Sequence, residues 1–300
     1  MKQLIYLGFW YIKARFFGRK RPLQTVLFIT DECNLSCKHC AVYNHAQPRR
    51  KTYKEIEDEL RYSHRLGSRF VDFEVGEPMM WNDGQYNIND LIDLAKEIGF
   101  FSTTVTTNAQ FTFTHLKADS IWVSLDGLGA YHDEIRGKGV FERLCKNIAE
   151  SKQKALSVNM VINSKNYNSV EETIRFTKEN PHIHSISLNF YTPSSLAPDP
   201  LFLDWNKRKE VIDLIIGMKK AGYPVMNSVS GLKKMKTNIF KKYCWITNFI
   251  LPDKTRVEGC PLEALNICEY CGYCMAGEMA SVFHLNPDTI FSALKLRMKT

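Results

Sequence analysis

The chain has 300 residues, 44% of them hydrophobic and 24% charged, and carries a formal net charge of +8. This length and composition suit one large α/β domain with an appendage, or two domains, and exclude a disordered chain. The basic residues are spread along the sequence without a recognition motif, so we expect no nucleic-acid binding.

An apolar and aromatic segment occupies residues 4–17, and Arg19, Lys20 and Arg21 follow it. The segment is too short and too interrupted by charge to span a membrane, and no small-residue cleavage site follows it. We predict an N-terminal amphipathic helix within residues 1–22. Two interpretations stay open: residues 1–21 contact a membrane surface or a lipid substrate, or the helix packs over the open side of a barrel.

From residue 25 onward, short β-rich runs alternate with helical stretches, which is typical of repeated βα units and a parallel sheet. The predicted strands are 25–30, 70–74, 102–106, 120–124, 157–162 and 185–189. The predicted helices are 53–66, 88–98, 141–154, 169–179 and 205–221, with N-caps at Thr52 and Asn168.

Six such units predict an α/β fold, a partial (β/α)6 barrel. We expect its reactive site in the loops at the carboxyl ends of the strands. The barrel should span residues 23–235, and residues 236–300 should form a small cysteine-rich C-terminal extension.

Three cysteines, Cys33, Cys37 and Cys40, lie within eight residues directly after the first predicted strand. Cubane iron-sulfur clusters are normally held by four thiolates, so a loop with three leaves one iron free for a small-molecule ligand. Clustered cysteines are typical of metal ligands in a reducing compartment, and we therefore expect a cytoplasmic protein. Cys145 stands alone, and we expect it to be a small buried apolar residue.

The CxxxCxxC spacing after a strand resembles that of the radical S-adenosylmethionine (radical SAM) superfamily. The resemblance implies a [4Fe-4S] cluster on these three cysteines, whose fourth iron binds S-adenosylmethionine (SAM). It implies reductive cleavage of SAM to a 5′-deoxyadenosyl radical that abstracts a substrate hydrogen, with electrons from a flavodoxin- or ferredoxin-type donor. It further implies a TIM-like barrel, with His39 close to the adenine and not an iron ligand.

Two turns after later strands also resemble motifs of that family. Gly76-Glu77-Pro78 is similar to its Gly-Gly-Glu-Pro turn, with Val75 in place of the first glycine. In the family, the backbone of this turn receives the amino group of SAM. Asn108 belongs to a segment similar to the family's Thr-Asn-Gly, with Ala109 in place of the glycine.

A third resemblance begins with Ser124 at the end of the fourth predicted strand. The segment Ser-Leu-Asp-Gly and the following His-Asp and Arg are similar to a family pattern. Ser124 and Asp126 suit the ribose hydroxyls of SAM, and the planar guanidinium of Arg136 suits its carboxylate. Asn159 and Asn189, on the fifth and sixth predicted strands, are further candidates for contacting adenosine or substrate.

A second cysteine group follows residue 240. Cys244 and Cys260 have a hairpin-like spacing with a turn at Pro252-Asp253, and three more cysteines follow, at Cys268, Cys271 and Cys274. The group resembles the beginning of SPASM or twitch extensions, which implies a second, auxiliary [4Fe-4S] cluster. Four of the five cysteines would suffice, and either Cys260 or Cys274 is the spare. CxxC pairs also serve Zn²⁺, so a structural zinc site is the rival interpretation.

The predicted function is that of a radical SAM enzyme, an oxidoreductase or transferase, that modifies a peptide as a maturase does. A lipid or small-molecule substrate is the alternative, because residues 18–23 resemble the start of radical SAM enzymes that act on hopanoid lipids. The non-enzyme alternative is an iron-sulfur electron carrier or a zinc-binding protein, which would have four ligands at every metal.

Overall fold

The computed structural model describes residues 2–40, 48–153 and 156–297. Its strands are β1 (Gln24–Phe28), β2 (Phe70–Glu74), β3 (Asn82–Asp83), β4 (Tyr86–Asn87), β5 (Ser102–Thr107), β6 (Ser120–Ser124), β7 (Leu156–Ile162), β8 (Ile183–Phe190), β9 (Thr247–Ile250) and β10 (Arg256–Glu258). Its α-helices are α1 (Lys2–Phe16), α2 (Tyr53–Leu66), α3 (Ile88–Ile98), α4 (Ala130–Arg136), α5 (Val140–Glu150), α6 (Val170–Glu179), α7 (Trp205–Lys220), α8 (Val229–Thr237), α9 (Cys274–Phe283) and α10 (Pro287–Arg297).

The six predicted strands form consecutive parallel pairs in the order β1-β2-β5-β6-β7-β8. This arrangement confirms the partial barrel with one strand per βα unit. At the other side of β1, β9 pairs in parallel and carries β10 as an antiparallel partner. The C-terminal hairpin therefore extends the core sheet to eight strands.

Side chains alternate along the strands between the helical layer and the barrel lumen. Phe73 and Val105 are fully buried in the large apolar core that also contains the inner faces of the helices. Their neighbours Asp72, Glu74 and Thr106 point to the opposite side and are half-buried. The lumen is thus polar and partly accessible.

Local signals set some boundaries correctly and one wrongly. Thr52 caps α2 in a full capping box with Glu55, as predicted. The predicted cap at Asn168 is wrong: α6 begins after Ser169 and has no side-chain cap, because the Ser169 hydroxyl accepts a hydrogen bond from the Leu128 amide. The helix predicted for 141–154 ends at residue 150, and residue 154 lies outside the described residues.

The first helix, α1, packs across the amino ends of β1, β2 and β5. Tyr6 donates a hydrogen bond to the Gly67 carbonyl and packs edge-on against Phe101, and the Trp10 indole donates to the Arg21 carbonyl. Apolar residues also cover its outer face, so the helix is apolar on two sides and not amphipathic as predicted. None of the helices in the described residues is long and apolar enough to cross a membrane.

Candidate functional site

The three clustered cysteines lie on the loop that leaves the carboxyl end of β1. Cys37 is buried, and Cys33 and Cys40 are half-buried. Burial raises the pKa of Cys37 to about 11 although the Arg136 guanidinium lowers it, and both other thiols are near enough to raise it further. Thiols with a raised pKa become thiolates readily only beside added positive charge, which an iron cluster would supply.

A buried ion pair holds this loop against α4. The Arg136 Nε atom donates to Asp126 Oδ2 at 2.7 Å, and its Nη1 atom lies 3.8 Å from the Cys37 sulfur. His39 Nε2 lies 3.5 Å from the same carboxylate oxygen. Burial lowers the pKa of His39, and Arg136 lowers it too while Asp126 opposes them.

Asp126 is completely buried, and both of its carboxylate oxygens have partners. Oδ1 accepts a hydrogen bond from the Val161 amide at 2.9 Å. Burial raises its pKa, but Arg136, His39 and His132 outweigh this effect and hold the pKa below its usual range. Asp126 and Arg136 thus pair with each other, a contact that the sequence did not indicate, and their predicted contacts with SAM stay predictions. Both side chains position the cysteine loop.

The Gly76-Glu77-Pro78 turn lies directly beside the cysteine loop. The Glu77 amide donates to the Glu32 carbonyl at 2.8 Å, and a Cβ atom at Gly76 would lie 2.2 Å from that same oxygen. Only glycine permits this approach. Val75, where the family pattern has glycine, has φ 72°, so the residue keeps the left-handed backbone despite its branched side chain.

The Glu77 side chain is buried and links this turn to the segment after β5. Its oxygens accept hydrogen bonds from the Thr107 hydroxyl and the Asn108 amide, each at 2.7 Å. Asn108 reaches on to the cysteine loop, with its Nδ2 atom 2.8 Å from Asn34 Oδ1 and 3.7 Å from the Cys33 sulfur. Ala109 has φ 56°, again the left-handed conformation that a glycine would favour. At both departures from the family pattern, the residue present therefore has a backbone conformation that glycine favours.

The remaining candidates line the lumen. Ser124 lies opposite Asn159 in the β6–β7 register, and Asn189 donates from Nδ2 to Asn159 Oδ1 at 2.8 Å. Glu74, which the sequence analysis did not single out, accepts from the Thr106 hydroxyl at 3.0 Å. Burial raises the pKa of Glu74 to about 7, with a further rise from Asp72. The lumen therefore offers hydroxyl, amide and carboxyl groups below the cysteine loop.

The second cysteine group gathers around the β9–β10 hairpin, which forms as the spacing predicted. Burial raises the pKa of Cys244. Among the thiols, Cys260 and Cys271 raise it most, and Cys268 raises it further. Cys274 differs, because it is fully buried and Cys271 is the one thiol that raises its pKa. Among the described residues, no three His, Cys, Asp or Glu side chains approach closely enough to hold a single metal ion.

Arg208 provides a test of what this group can hold. The side chain is buried, stacks on Phe190 and Trp205 at 4.6 and 4.7 Å, and donates from Nη2 to the Cys271 carbonyl at 2.6 Å. Its Nε and Nη1 atoms have no partner among the described residues. A buried cation without a counter-charge is costly. Four thiolates around an iron cluster would supply the missing negative charge, so the residues fit such a group.

Tyr273 and Gly272 join the second cysteine group to the lumen, and the sequence carried no signal for either. A Cβ atom at Gly272 would lie 1.9 Å from the Phe190 carbonyl oxygen, so the chain runs tightly against the end of β8. The Cys274 amide donates to Asn189 Oδ1 at 2.9 Å. Tyr273 is 50% exposed, so burial raises the pKa of its phenol only through the part that is covered, and Cys260, Cys271, Glu74 and Cys40 raise it further. Its phenol is therefore close to both cysteine groups.

Comparison with known proteins agrees with this geometry. Residues 27–177 match the sequence model of the radical SAM superfamily. A curated relative, the AdoMet-dependent heme synthase of Oleidesulfovibrio alaskensis (strain ATCC BAA-1058 / DSM 17464 / G20), is 29% identical over 135 residues. That match covers 42% of this chain and 34% of the relative, so the chain spans about a third of the relative's length.

Two solved structures share the fold. One is Streptococcus suis SuiB bound to the precursor peptide SuiA, with a TM-score of 0.64, 18% identity, and coverage of 88% of this chain and 65% of SuiB. The other is anSMEcpe with AdoMet and the Kp18Cys peptide, with a TM-score of 0.61, 13% identity, and coverage of 88% and 82%. At such identities the likeness shows the fold alone.

Proposed function

The chain belongs to the radical SAM superfamily and is an enzyme, and we propose that it modifies a peptide bound in the barrel lumen. When bound at Cys33, Cys37 and Cys40, a reduced [4Fe-4S] cluster would pass one electron to SAM, breaking its S–C5′ bond to give methionine and a 5′-deoxyadenosyl radical that abstracts a substrate hydrogen. The supporting observation is a loop that carries three thiols, of which Cys33 and Cys40 raise the pKa of Cys37, beside the buried Arg136.

The surrounding residues have positioning and binding roles in this proposal. Asp126, Arg136 and Glu77 hold the cysteine loop, and the backbone beside Gly76 receives the amino group of SAM. Asn108 donates toward Cys33. Ser124 and Asn159 contact the adenosine or the substrate from the lumen wall.

The second cysteine group holds an auxiliary [4Fe-4S] cluster in this proposal. We assign Cys244, Cys260, Cys268 and Cys271 as its ligands and Cys274 as the spare. The support is that Cys260, Cys268 and Cys271 raise the pKa of Cys244, and that Cys268 and Cys271 also raise the pKa of Cys260. Cys274 is buried, and Cys271 is the one thiol that raises its pKa. Arg208, which is near both Cys274 and Cys271, supplies positive charge beside this cluster.

A peptide substrate suits the lumen better than an apolar lipid does. Glu74, Thr106, Asn159 and Asn189 present hydrogen-bonding groups there, and an extended peptide has amides to match them. These groups also pair with one another, but an apolar chain would not satisfy the hydrogen-bonding capacity that each of them has left. Two enzymes of the same fold have been solved with peptides bound. A small metabolite stays the alternative because the curated relatives are named heme synthases.

SAM cleavage is the first experiment. Anaerobically reconstituted protein given dithionite and SAM is expected to release 5′-deoxyadenosine, and Cys37→Ala is expected to release none. Cys145→Ala, outside both cysteine groups, is the matched control and should behave as the parent. An iron-sulfur carrier or zinc protein would leave SAM intact in every case.

Metal analysis tests the auxiliary cluster. Cys260→Ala should lose about four irons per chain, one cubane's worth, and Cys274→Ala should lose none. If zinc is released instead of iron, the second site is a zinc site. A flavodoxin- or ferredoxin-type donor and a cytoplasmic location complete the proposal, since an oxygen-sensitive cluster needs a reducing compartment.

A further inference from the structure

The outer face of α1 is apolar and uncovered among the described residues. With 3.6 residues per turn, Leu4, Ile5, Phe9, Ile12 and Phe16 share one side of the helix. All five are exposed, Phe9 to 59% and Phe16 to 65%. The opposite side of the helix packs on the barrel through aromatic residues. A helix that is apolar on both sides is expected to have a second apolar environment.

The charges around this face have one sign. The first 30 residues contain six Lys and Arg residues and no Asp or Glu. The six cations are Lys2, Lys13, Arg15, Arg19, Lys20 and Arg21, and all of them are exposed. An apolar strip flanked by cations complements a layer of anionic headgroups above hydrocarbon.

A basic cavity of about 420 Å³ adjoins the end of α1. Arg15, Lys20, Lys241 and Lys242 line it, with the aromatic side chains of Tyr243, Trp245 and Phe283 forming part of its wall. Among the described residues, no carboxylate forms an ion pair with any of these four cations. A phosphate group would satisfy them, and the aromatic wall suits the glycerol backbone that carries a lipid phosphate.

We propose that α1 docks the enzyme on an anionic phospholipid membrane, with the apolar face in the headgroup boundary and a lipid phosphate in the basic cavity. The docking face lies at the amino ends of the strands, whereas Cys33, Cys37 and Cys40 follow the carboxyl end of β1. The membrane would therefore fix the location of the enzyme and leave the lumen open to a polar substrate. The inference is independent of which substrate the lumen accepts.

Vesicle flotation tests the proposal. The protein is expected to float with vesicles of phosphatidylglycerol and phosphatidylcholine, to remain behind with phosphatidylcholine alone, and to release as salt is added. Phe9→Glu/Phe16→Glu should weaken partitioning by at least about tenfold. Lys20→Gln/Lys241→Gln should weaken it by about thirtyfold, since each basic residue near an anionic surface contributes a factor of about five.

Two matched variants control for exposure and charge. Phe291→Glu replaces an aromatic residue that is 71% exposed on α10, and Lys138→Gln/Lys209→Gln removes two exposed cations elsewhere. Both should float as the parent does, and every variant should retain its circular dichroism and SAM cleavage. Equal binding to both vesicle types, or parent-like flotation of the α1 variants, would overturn the proposal. So would an α1 variant that floats normally and instead loses turnover with an acidic electron-donor protein, because the face would then be a protein docking site.

Discussion

Replacing Asp126 by Asn tests whether the buried Asp126–Arg136 pair organises the cysteine loop. Asn keeps the shape and removes the charge. The Asp126 side chain is 0% exposed and that of Arg136 is 9% exposed, so the remaining guanidinium would be left buried without its counter-ion. Breaking a buried pair in this way costs about 3–5 kcal/mol.

Urea unfolding of the metal-free protein measures this loss. The matched control is Glu134→Gln, because the Lys38–Glu134 ion pair also joins the cysteine loop to α4. Unlike the buried pair, it is solvent-accessible, with the side chains of Lys38 and Glu134 exposed to 53% and 48%. No measurable loss is expected there. The double variant Asp126→Leu/Arg136→Met should be more stable than Asp126→Asn, since it leaves no orphan charge. Equal, small losses for Asp126→Asn and Glu134→Gln would refute the reasoning.

The same pair has a pH dependence of defined sign. The folded-state pKa of Asp126 is held below its ordinary value, so the unfolded chain binds the proton first as pH falls. The stabilisation is present above the ordinary pKa of about 4 and is lost as pH drops through the lower folded value. Asp126→Asn should remove this acid-side loss.

Three further results are expected. Val75→Gly should increase the free energy of unfolding by about 0.5–1 kcal/mol and so raise the urea midpoint, because glycine adopts φ 72° without strain and this relief exceeds the extra entropy that glycine loses on folding. A lower midpoint would contradict this. The free energy of unfolding of the parent should fall as pH rises from about 4.5 to 7, since the folded Glu74 carboxyl keeps its proton to about pH 7 while the unfolded one does not, and Glu74→Gln should abolish this fall. The same pH dependence of stability in parent and variant would show that Glu74 does not titrate there. Gly272→Ala should lose the second site's iron and about 1–3 kcal/mol of stability, because its Cβ would lie 1.9 Å from the Phe190 carbonyl oxygen. Gly217→Ala on α7, where a Cβ meets open space, is the control and should lose neither. Iron retention in Gly272→Ala would contradict the tight contact.

Much of the fold was predictable because its signals are local. The alternation of β-rich and helical runs repeats within about 30 residues, and a parallel pair requires a crossover of that kind. The capping box of Thr52 and Glu55 lies within one helical turn. The short helices α8 and α9 escaped prediction because they pack on each other and on the C-terminal segment, contacts that a sequence pattern does not show.

The position of the cysteine loop after β1 was predictable from the sequence, whereas the contacts that Asp126 and Arg136 make were not. Residue types suggested that Asp126 and Arg136 bind SAM, yet the folded chain pairs them with each other. Type and spacing tell which groups can bind a ligand, but not whether another protein group has already occupied them.

The sequence by itself determined the βα order, the three-thiol loop and the hairpin spacing of the second cysteine group, because each depends on neighbours along the chain. Only the tertiary structure decided that Arg136 reaches Cys37 across 99 positions, that Tyr273 lies near both cysteine groups, and that one face of α1 stays uncovered. These contacts depend on how twisted strands and packed helices bring distant residues together, and burial and charge pairing then select among side chains that the sequence leaves equivalent.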